Sequence, residues 1–166
     1  MKLESDPMRL KPASHFGMWN NCADTELVAV CTSRPETAQI AKNTYGARYA
    51  FSDYHEMLKL EDIDMVSVAL RVDLHYDVTM AALRAGKHDY CEWPLALNAD
   101  QGWDMYNLAR KNNLRHAVGL QARYTPEILY LRDLIKDGYI GRPLAVNVLH
   151  SHDRGYWRKW SNALFL

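Results

Sequence analysis

The sequence has few cysteines, no net charge and no long apolar run. Its three cysteines, at positions 22, 31 and 91, fit no zinc-binding spacing. Residues 1–14 are polar and lack the apolar core of a secretory signal, so reduced thiols inside a cell are expected. Basic and acidic residues number 20 each, and no stretch reaches the roughly 20 apolar residues of a membrane span. We therefore expect a cytoplasmic protein with no membrane or nucleic-acid partner.

The sequence does contain a regular alternation of short apolar runs and helical patterns. Apolar runs predict buried strands, and apolar residues at helical spacing follow most of them. This alternation predicts an α/β fold in which helices cover a parallel sheet. The predicted strands are 27–31, 49–51, 65–70, 89–91, 116–120 and 144–149.

Two of the predicted helices have distinct apolar faces, and we expect both faces to be buried. In the helix that follows residue 70, the face consists of Leu74, Val78, Ala81, Ala82 and Ala85. In the helix that begins at Pro126, the face consists of Ile128, Leu131, Leu134 and Ile135.

Five short motifs occur in a fixed order between residues 15 and 150. They are LVAVCTSRPETA, MVSVAL followed by His75, AALRAGKHDYCEWPLA, VGLQARYTP and LIKDGYIGRP. In these motifs and their order the chain resembles the Gfo/Idh/MocA family of nicotinamide-dependent oxidoreductases. The run VDLHYDV, together with EWPLA and LQAR, looks most similar to a fungal branch that includes the galactose-pathway repressor.

The resemblance implies a Rossmann-like parallel sheet that binds NAD(P), followed by a second, α+β domain. Residues 1–142 would form the NAD(P)-binding domain. Residues 143–166 would begin a truncated C-terminal domain for substrate binding and oligomerisation, with 144–149 as its first strand. Because residues 1–14 contain no glycine and no apolar run, we expect the first strand and the Gly-rich pyrophosphate turn to be missing.

The first candidate cofactor-binding residues are Thr32, Ser33 and Arg34, which end the second strand of the family. An acidic residue here normally holds a ribose hydroxyl, whereas an arginine accommodates a 2′-phosphate. No acidic residue occupies these three positions, so we expect NADP to be favoured over NAD. The alternative is that Arg34 is a solvated loop residue.

A second candidate group, Leu70, Arg71, Val72 and His75, follows the run MVSVAL. Ligands of this fold lie beyond the carboxyl ends of the strands. Arg71 and Val72 stand where the family has Thr-Pro, and His75 matches a histidine of the same family segment. The alternative, which we favour for His75, is a structural residue in the first helical turn.

The third group, Glu92, Trp93 and Pro94, corresponds to the family motif Glu-Lys-Pro. The lysine of that motif assists proton transfer in active relatives, and an indole N–H can only donate a hydrogen bond. Lys87 precedes the strand and should point elsewhere, so no catalytic residue is assigned. The alternative for Trp93 is a buried aromatic that packs near the nucleotide.

Gln121 and Arg123 are candidate substrate-binding residues, since the family places an amide and an arginine beside the nicotinamide. The alternative for Arg123 is an ion pair with a neighbouring acid. His150, His152 and Asp153 are rejected as metal ligands, and no metal is expected.

Two functions remain open. The chain could belong to an oxidoreductase that acts on a sugar, polyol or similar hydroxyl by hydride transfer, with a dinucleotide and a small hydroxylated substrate as ligands. Alternatively, it could belong to a non-catalytic, nucleotide-sensing transcriptional regulator of the galactose-repressor type. That regulator would be nuclear and would bind a protein partner, and either protein could form homo-oligomers.

Overall fold

The computed structural model describes residues 22–149, which form two compact units that divide after Leu120. In the first unit, strands and helices alternate as β1 Ala29–Cys31, α1 Pro35–Tyr45, β2 Tyr49–Phe51, α2 Tyr54–Met57, β3 Met65–Val68, α3 Val72–Arg84, β4 His88–Glu92, α4 Ala99–Lys111 and β5 His116–Gly119. The second unit contains a 3₁₀-helix, Gln121–Tyr124, and α5, Pro126–Lys136.

All strand pairs in the described residues are parallel. Strand β1 pairs with β2, and a separate sheet has the order β3-β4-β5. In the family order 3-2-1-4-5-6, β1 and β2 would be strands 2 and 3, and β3, β4 and β5 would be strands 4, 5 and 6. Strand 1 is not among the described residues. The predicted α/β fold with parallel strands is confirmed, whereas the predicted loss of the first strand concerns residues outside the described range.

Local sequence signals account for the helix ends. Pro35 begins α1, and Gly46 ends it in a left-handed conformation with φ of 75°, which glycine adopts without steric cost. The Asp53 carboxylate accepts a hydrogen bond from the His55 N–H at 2.8 Å, and the Asn98 side chain accepts one from the Gln101 N–H at 2.9 Å. These contacts satisfy donors that the first turn of a helix leaves unpaired.

Two clusters of buried side chains hold the first unit together. One consists of Met57, Leu58, Ile63, Val66, Val68, Val78, Ala82 and Cys91, and residues of β1 and β2 pack against it. The other lies between α3 and α4 and consists of Met80, Leu83, Met105 and Ala109. The first cluster therefore joins both sheets, and the second fixes α4 on α3.

The predicted apolar face of the helix that follows residue 70 is wrong at its first and last positions, because Leu74 and Ala85, the residue that follows α3, are both exposed. Leu74 is 46% exposed, and the neighbouring His75 is only 1% exposed. Successive residues of a helix differ by about 100° in direction, so the two cannot share a face. The buried face of α3 begins with His75 and continues through Val78, Thr79 and Ala82.

Two predictions for the second unit are also wrong. The structure places no strand at 144–149, where Leu144 is 90% exposed, and α5 has no buried residue. A strand needs a pairing partner and an apolar helix face needs a covering element, and residues 121–149 supply neither. Among the described helices of the whole chain, none has the length and apolar character to cross a membrane.

The packing of α3 on α4 predicts a large effect for Leu83, which is fully buried between Met80, Met105 and Ala109. We expect Leu83→Ala to lower the free energy of unfolding by about 2–5 kcal/mol, because it removes buried methyl groups and leaves a cavity. Leu74→Ala on the same helix should change it by less than about 1 kcal/mol. Urea denaturation measures both, and similar losses for the two variants would contradict this packing.

Candidate functional site

The candidate residues of the first unit follow the carboxyl ends of three strands. Thr32 comes directly after β1, Leu70 lies two residues beyond β3, and Glu92 is the last residue of β4. Thr32 and Leu70 lie within three residues of the start of a helix, whose first backbone N–H groups are unpaired within the helix. In parallel sheets, ligands bind beyond the carboxyl ends of the strands.

The segment after β1 is ordered by two threonine hydroxyls. The Thr32 N–H donates to the Phe51 carbonyl at 3.1 Å, which ties the segment to β2. The Thr32 and Thr37 hydroxyls lie 2.6 Å apart, and each also lies 2.9 Å from the Arg34 carbonyl oxygen. The hydroxyls therefore hold the backbone at the start of α1, while the side chains of Ser33 and Arg34 remain exposed.

The surroundings of Arg34 leave its positive charge available. Within the described residues, the guanidinium forms no ion pair, and Arg34 occupies the N-cap position of α1. Burial, and secondarily the Asp53 carboxylate, raises the pKa of the nearby Cys31 thiol. Cys31 is therefore uncharged at neutral pH and does not neutralise Arg34.

Arg71, in the second group, differs from Arg34 because it pairs with a carboxylate. Arg71 Nε and Nη2 each lie 3.2 Å from an oxygen of the Asp73 carboxylate, in a two-pronged contact on the surface. An exposed pair of this kind adds little stability. Its consequence is that the charge of Arg71 is largely matched by Asp73, which is not the case for Arg34.

His75 joins the second and third groups. Its Nδ1 lies 2.8 Å from the Pro94 carbonyl oxygen, and its Nε2 lies 2.9 Å from the Leu70 carbonyl oxygen. The ring is buried, so these carbonyls are its polar partners in place of water. The structural role favoured from the sequence thus involves both loops at the edge of the sheet.

Trp93 is 67% exposed, so the interpretation of this residue as a buried aromatic is wrong. The Trp93–Pro94 peptide bond is cis, and Glu92 is half-buried. Lys87 Nζ donates to the Leu60 carbonyl at 2.8 Å, before the start of β4. As expected, this lysine is engaged away from the position that Trp93 occupies.

A buried polar cluster that the sequence analysis missed lies in the sheet below this edge. The Asp89 carboxylate is 3.2 Å from His116 Nε2 and 3.5 Å from the Thr79 hydroxyl. Burial, and then the charge of Asp89, raises the pKa of the Cys91 thiol to about 12. The available signal was an aspartate inside a predicted strand, and the cluster links β4, β5 and α3.

Gln121 and Arg123 belong to the second compact unit, in the 3₁₀-helix that begins it. The Arg123 side chain is exposed, and the Thr125 hydroxyl closes the turn on the Ala122 carbonyl at 3.2 Å. In residues 22–149 no group of three potential metal ligands occurs, while His150, His152 and Asp153 fall outside that range.

Comparison with known proteins identifies the family to which these residues belong. Residues 12–120 match the family model described as the oxidoreductase family GFO_IDH_MocA with an NAD-binding Rossmann fold. The chain belongs to the Gfo/Idh/MocA family. The match includes all three loops of the first unit, and it confirms the family resemblance and the Rossmann-like fold.

Relatives in this family act on polyols and sugars. The chain is 35% identical over 130 residues to inositol 2-dehydrogenase/D-chiro-inositol 3-dehydrogenase of Lactiplantibacillus plantarum, covering 77% of this chain and 37% of that protein. It resembles a structure of levoglucosan dehydrogenase in complex with NADH and levoglucosan, with a TM-score of 0.67 and 31% identity over 71% of this chain and 32% of the other.

A third comparison involves the other nicotinamide cofactor. A 3-ketoreductase from Actinomadura kijaniata, in complex with TDP-benzene and NADP, matches with a TM-score of 0.70 and 26% identity over 74% of this chain and 39% of the other. The chain thus spans between a third and two fifths of the length of these relatives. Dinucleotide binding is a property of the family, and its members include enzymes with either cofactor.

The thiol environments predict an order of reactivity. The thiolate is the reactive form, so a raised pKa slows alkylation at neutral pH and makes the rate rise further toward alkaline pH. We expect iodoacetamide to modify exposed Cys22 first, Cys31 more slowly and Cys91 last. Peptide mass spectrometry measures the order, and in urea the three rates should converge. Rapid modification of Cys91 in the folded chain would contradict its burial.

Proposed function

We propose that residues 1–142 form the NAD(P)-binding domain of an oxidoreductase that acts on a sugar, polyol or similar hydroxyl by hydride transfer. Residues 143–166 would begin the C-terminal domain, which completes the substrate site and mediates oligomer formation. The observation that carries the proposal is the grouping of family motif residues beyond the carboxyl ends of β1, β3 and β4. The activities of the polyol and sugar dehydrogenases among the relatives support the substrate class.

The residues of this edge fit a dinucleotide. Thr32, Ser33 and Arg34 offer hydroxyl, backbone and guanidinium donors at the start of α1, which suit the adenosine ribose and an attached phosphate. Leu70, Arg71, Val72, Glu92, Trp93 and Pro94 would lie along the rest of the dinucleotide, and Gln121 and Arg123 would bind substrate. A bound nicotinamide would supply the hydride chemistry, and the chain would bind and orient it.

The charges favour NADP over NAD. A ribose 2′-hydroxyl is usually held by a carboxylate, and none of the three residues after β1 is acidic. Arg34 is exposed and has no carboxylate partner in the described residues, so it can pair with a 2′-phosphate. Arginine suits this task because its planar fork binds phosphate oxygens in pairs.

We expect Arg34→Ala to weaken NADP binding by about ten- to a hundredfold and to leave NAD binding within about twofold, because only NADP carries the phosphate. Titration calorimetry of the protein that carries this chain measures both. Arg84→Ala is a matched control, since Arg84 is an exposed arginine in the last turn of α3 and lies outside the candidate site. Equal affinities of the unmodified protein for NAD and NADP would contradict the preference.

A regulator is the second candidate, and Trp93 is the observation that favours it. Oxidation of a hydroxyl removes a hydride from carbon and a proton from oxygen, and a base must accept that proton. The indole at position 93 cannot, and Lys87 is bonded to the Leu60 carbonyl. In this version the protein would resemble the galactose-repressor branch, sense a nucleotide without turnover, bind a protein partner and be located in the nucleus.

The two candidates differ in what Trp93→Lys should do. If the protein is the regulator, we expect it to show no NAD(P)-linked turnover on sugars and polyols, and Trp93→Lys to gain about 10²–10⁴-fold over background by providing an acid–base group. If it is the oxidoreductase, we expect turnover before any substitution. The exposure of the indole makes the substitution compatible with folding. Absorbance of the reduced nicotinamide measures the rate.

Trp103→Lys on α4 is the control, because Trp103 is similarly exposed, at 61%, and lies outside the candidate site. Turnover by the unmodified protein would contradict the regulator and show that another group accepts the proton. A gain in both variants would show that added positive charge, rather than its position, is responsible.

A further inference from the structure

His75 occupies the first turn of α3 with almost none of its surface exposed. Its two ring nitrogens contact two backbone carbonyl oxygens, Nδ1 with Pro94 at 2.8 Å and Nε2 with Leu70 at 2.9 Å. Leu70 is five residues before His75, whereas Pro94 is 19 residues after it on a different loop. The contact with Pro94 is therefore a tertiary link.

The position of this link follows from the ladder between β3 and β4. The ladder runs from Met65↔His88 to Val68↔Cys91 and then ends. Leu70 and Pro94 lie two and three residues beyond that last pair, where the strands no longer bond to each other. The ring of His75 is placed between the carbonyl oxygens of these two residues.

The chemistry of the ring separates the two contacts. A carbonyl oxygen only accepts a hydrogen bond, so a ring nitrogen must carry a proton to bond to it. A neutral ring carries one proton and bonds to one of the carbonyls, whereas a doubly protonated ring bonds to both. A link between the loops requires the proton on Nδ1, because Nδ1 is the atom that faces Pro94.

We propose that His75 is a positioning residue: its Nδ1–H fastens the loop after β4 to the loop after β3 and sets the separation at which both meet a dinucleotide. The proposal rests on the dinucleotide-binding function proposed above. It assigns to His75 no contact with the ligand. The loops that it joins carry Leu70, Arg71 and Val72 on one side and Glu92, Trp93 and Pro94 on the other.

The substitutions His75→Asn and His75→Gln distinguish a hydrogen-bonding role of His75 from a role in which its side chain only fills space. The side-chain amide nitrogen of asparagine lies near the place of Nδ1, and that of glutamine lies near the place of Nε2. His75→Asn can therefore keep the bond to Pro94, and His75→Gln can keep only the bond to Leu70. If His75 only filled space, the larger glutamine would be the better replacement.

The experiment uses three readouts. Nitrogen NMR of the unmodified chain identifies which ring nitrogen of His75 carries a proton. Fluorine NMR of chain labelled with fluorotryptophan, with the Trp93 signal assigned through Trp93→Phe, reports the order of the loop after β4. Calorimetry with NADPH and with NADH then gives the dinucleotide affinity of each variant in the protein that carries this chain.

We expect a proton on Nδ1 and a Trp93 signal close to that of the unmodified chain in His75→Asn but averaged by motion in His75→Gln. We expect His75→Gln to bind dinucleotide about three- to tenfold more weakly than His75→Asn, which corresponds to one hydrogen bond. His55→Asn and His55→Gln are matched controls in an exposed histidine of α2, and they should leave all three readouts unchanged.

Three results would overturn the proposal: a ring protonated on Nε2 alone, a Trp93 signal as ordered in His75→Gln as in His75→Asn, or an affinity for His75→Gln equal to or above that of His75→Asn. The first is measured without any substitution, so it decides the matter even if both variants unfold. If no protein in the series binds a dinucleotide, the proposed function fails. The two NMR measurements still test whether His75 links the two loops.

Discussion

Pairing between β3 and β4 ends at Val68 and Cys91, and the candidate site begins where that pairing stops. Beyond a strand, each buried peptide group must find another partner, and those partners decide where a loop can lie. In this chain they are polar side chains between the strands and the first turns of the helices that follow: the hydroxyls of Thr32 and Thr37 after β1, and the ring of His75 after β3 and β4. The positions of the loops thus depend on a few polar side chains at or just before the first turns of helices.

Charge is distributed unevenly over the same edge. Arg71 shares its charge with Asp73, whereas Arg34 has no such partner in the described residues, and Cys31 beside it stays uncharged. Further inside the sheet, the burial that raises the pKa of Cys91 also encloses Asp89 and His116. The strand interior holds a buried carboxylate, whereas the edge after β1 presents an exposed arginine.

Apolar runs were sufficient to predict the strands of the first unit. The alternation of these runs with helical patterns was sufficient to predict that the strands are parallel. Apolar periodicity was insufficient for α3, where apolar Leu74 is exposed and polar His75 is buried. One of the carbonyl partners of His75, Pro94, lies 19 residues away on another loop, and no local pattern contains that partner. The strand at residues 144–149 was mispredicted for the same reason, since strand pairing depends on what lies opposite.

The two polar contacts of the His75 ring are both with main-chain oxygens. Every residue type offers the same carbonyl, so the identities of residues 70 and 94 are left free by this arrangement. Mutations at those two positions can alter the chemistry of the edge one at a time while the spacing of the loops is retained.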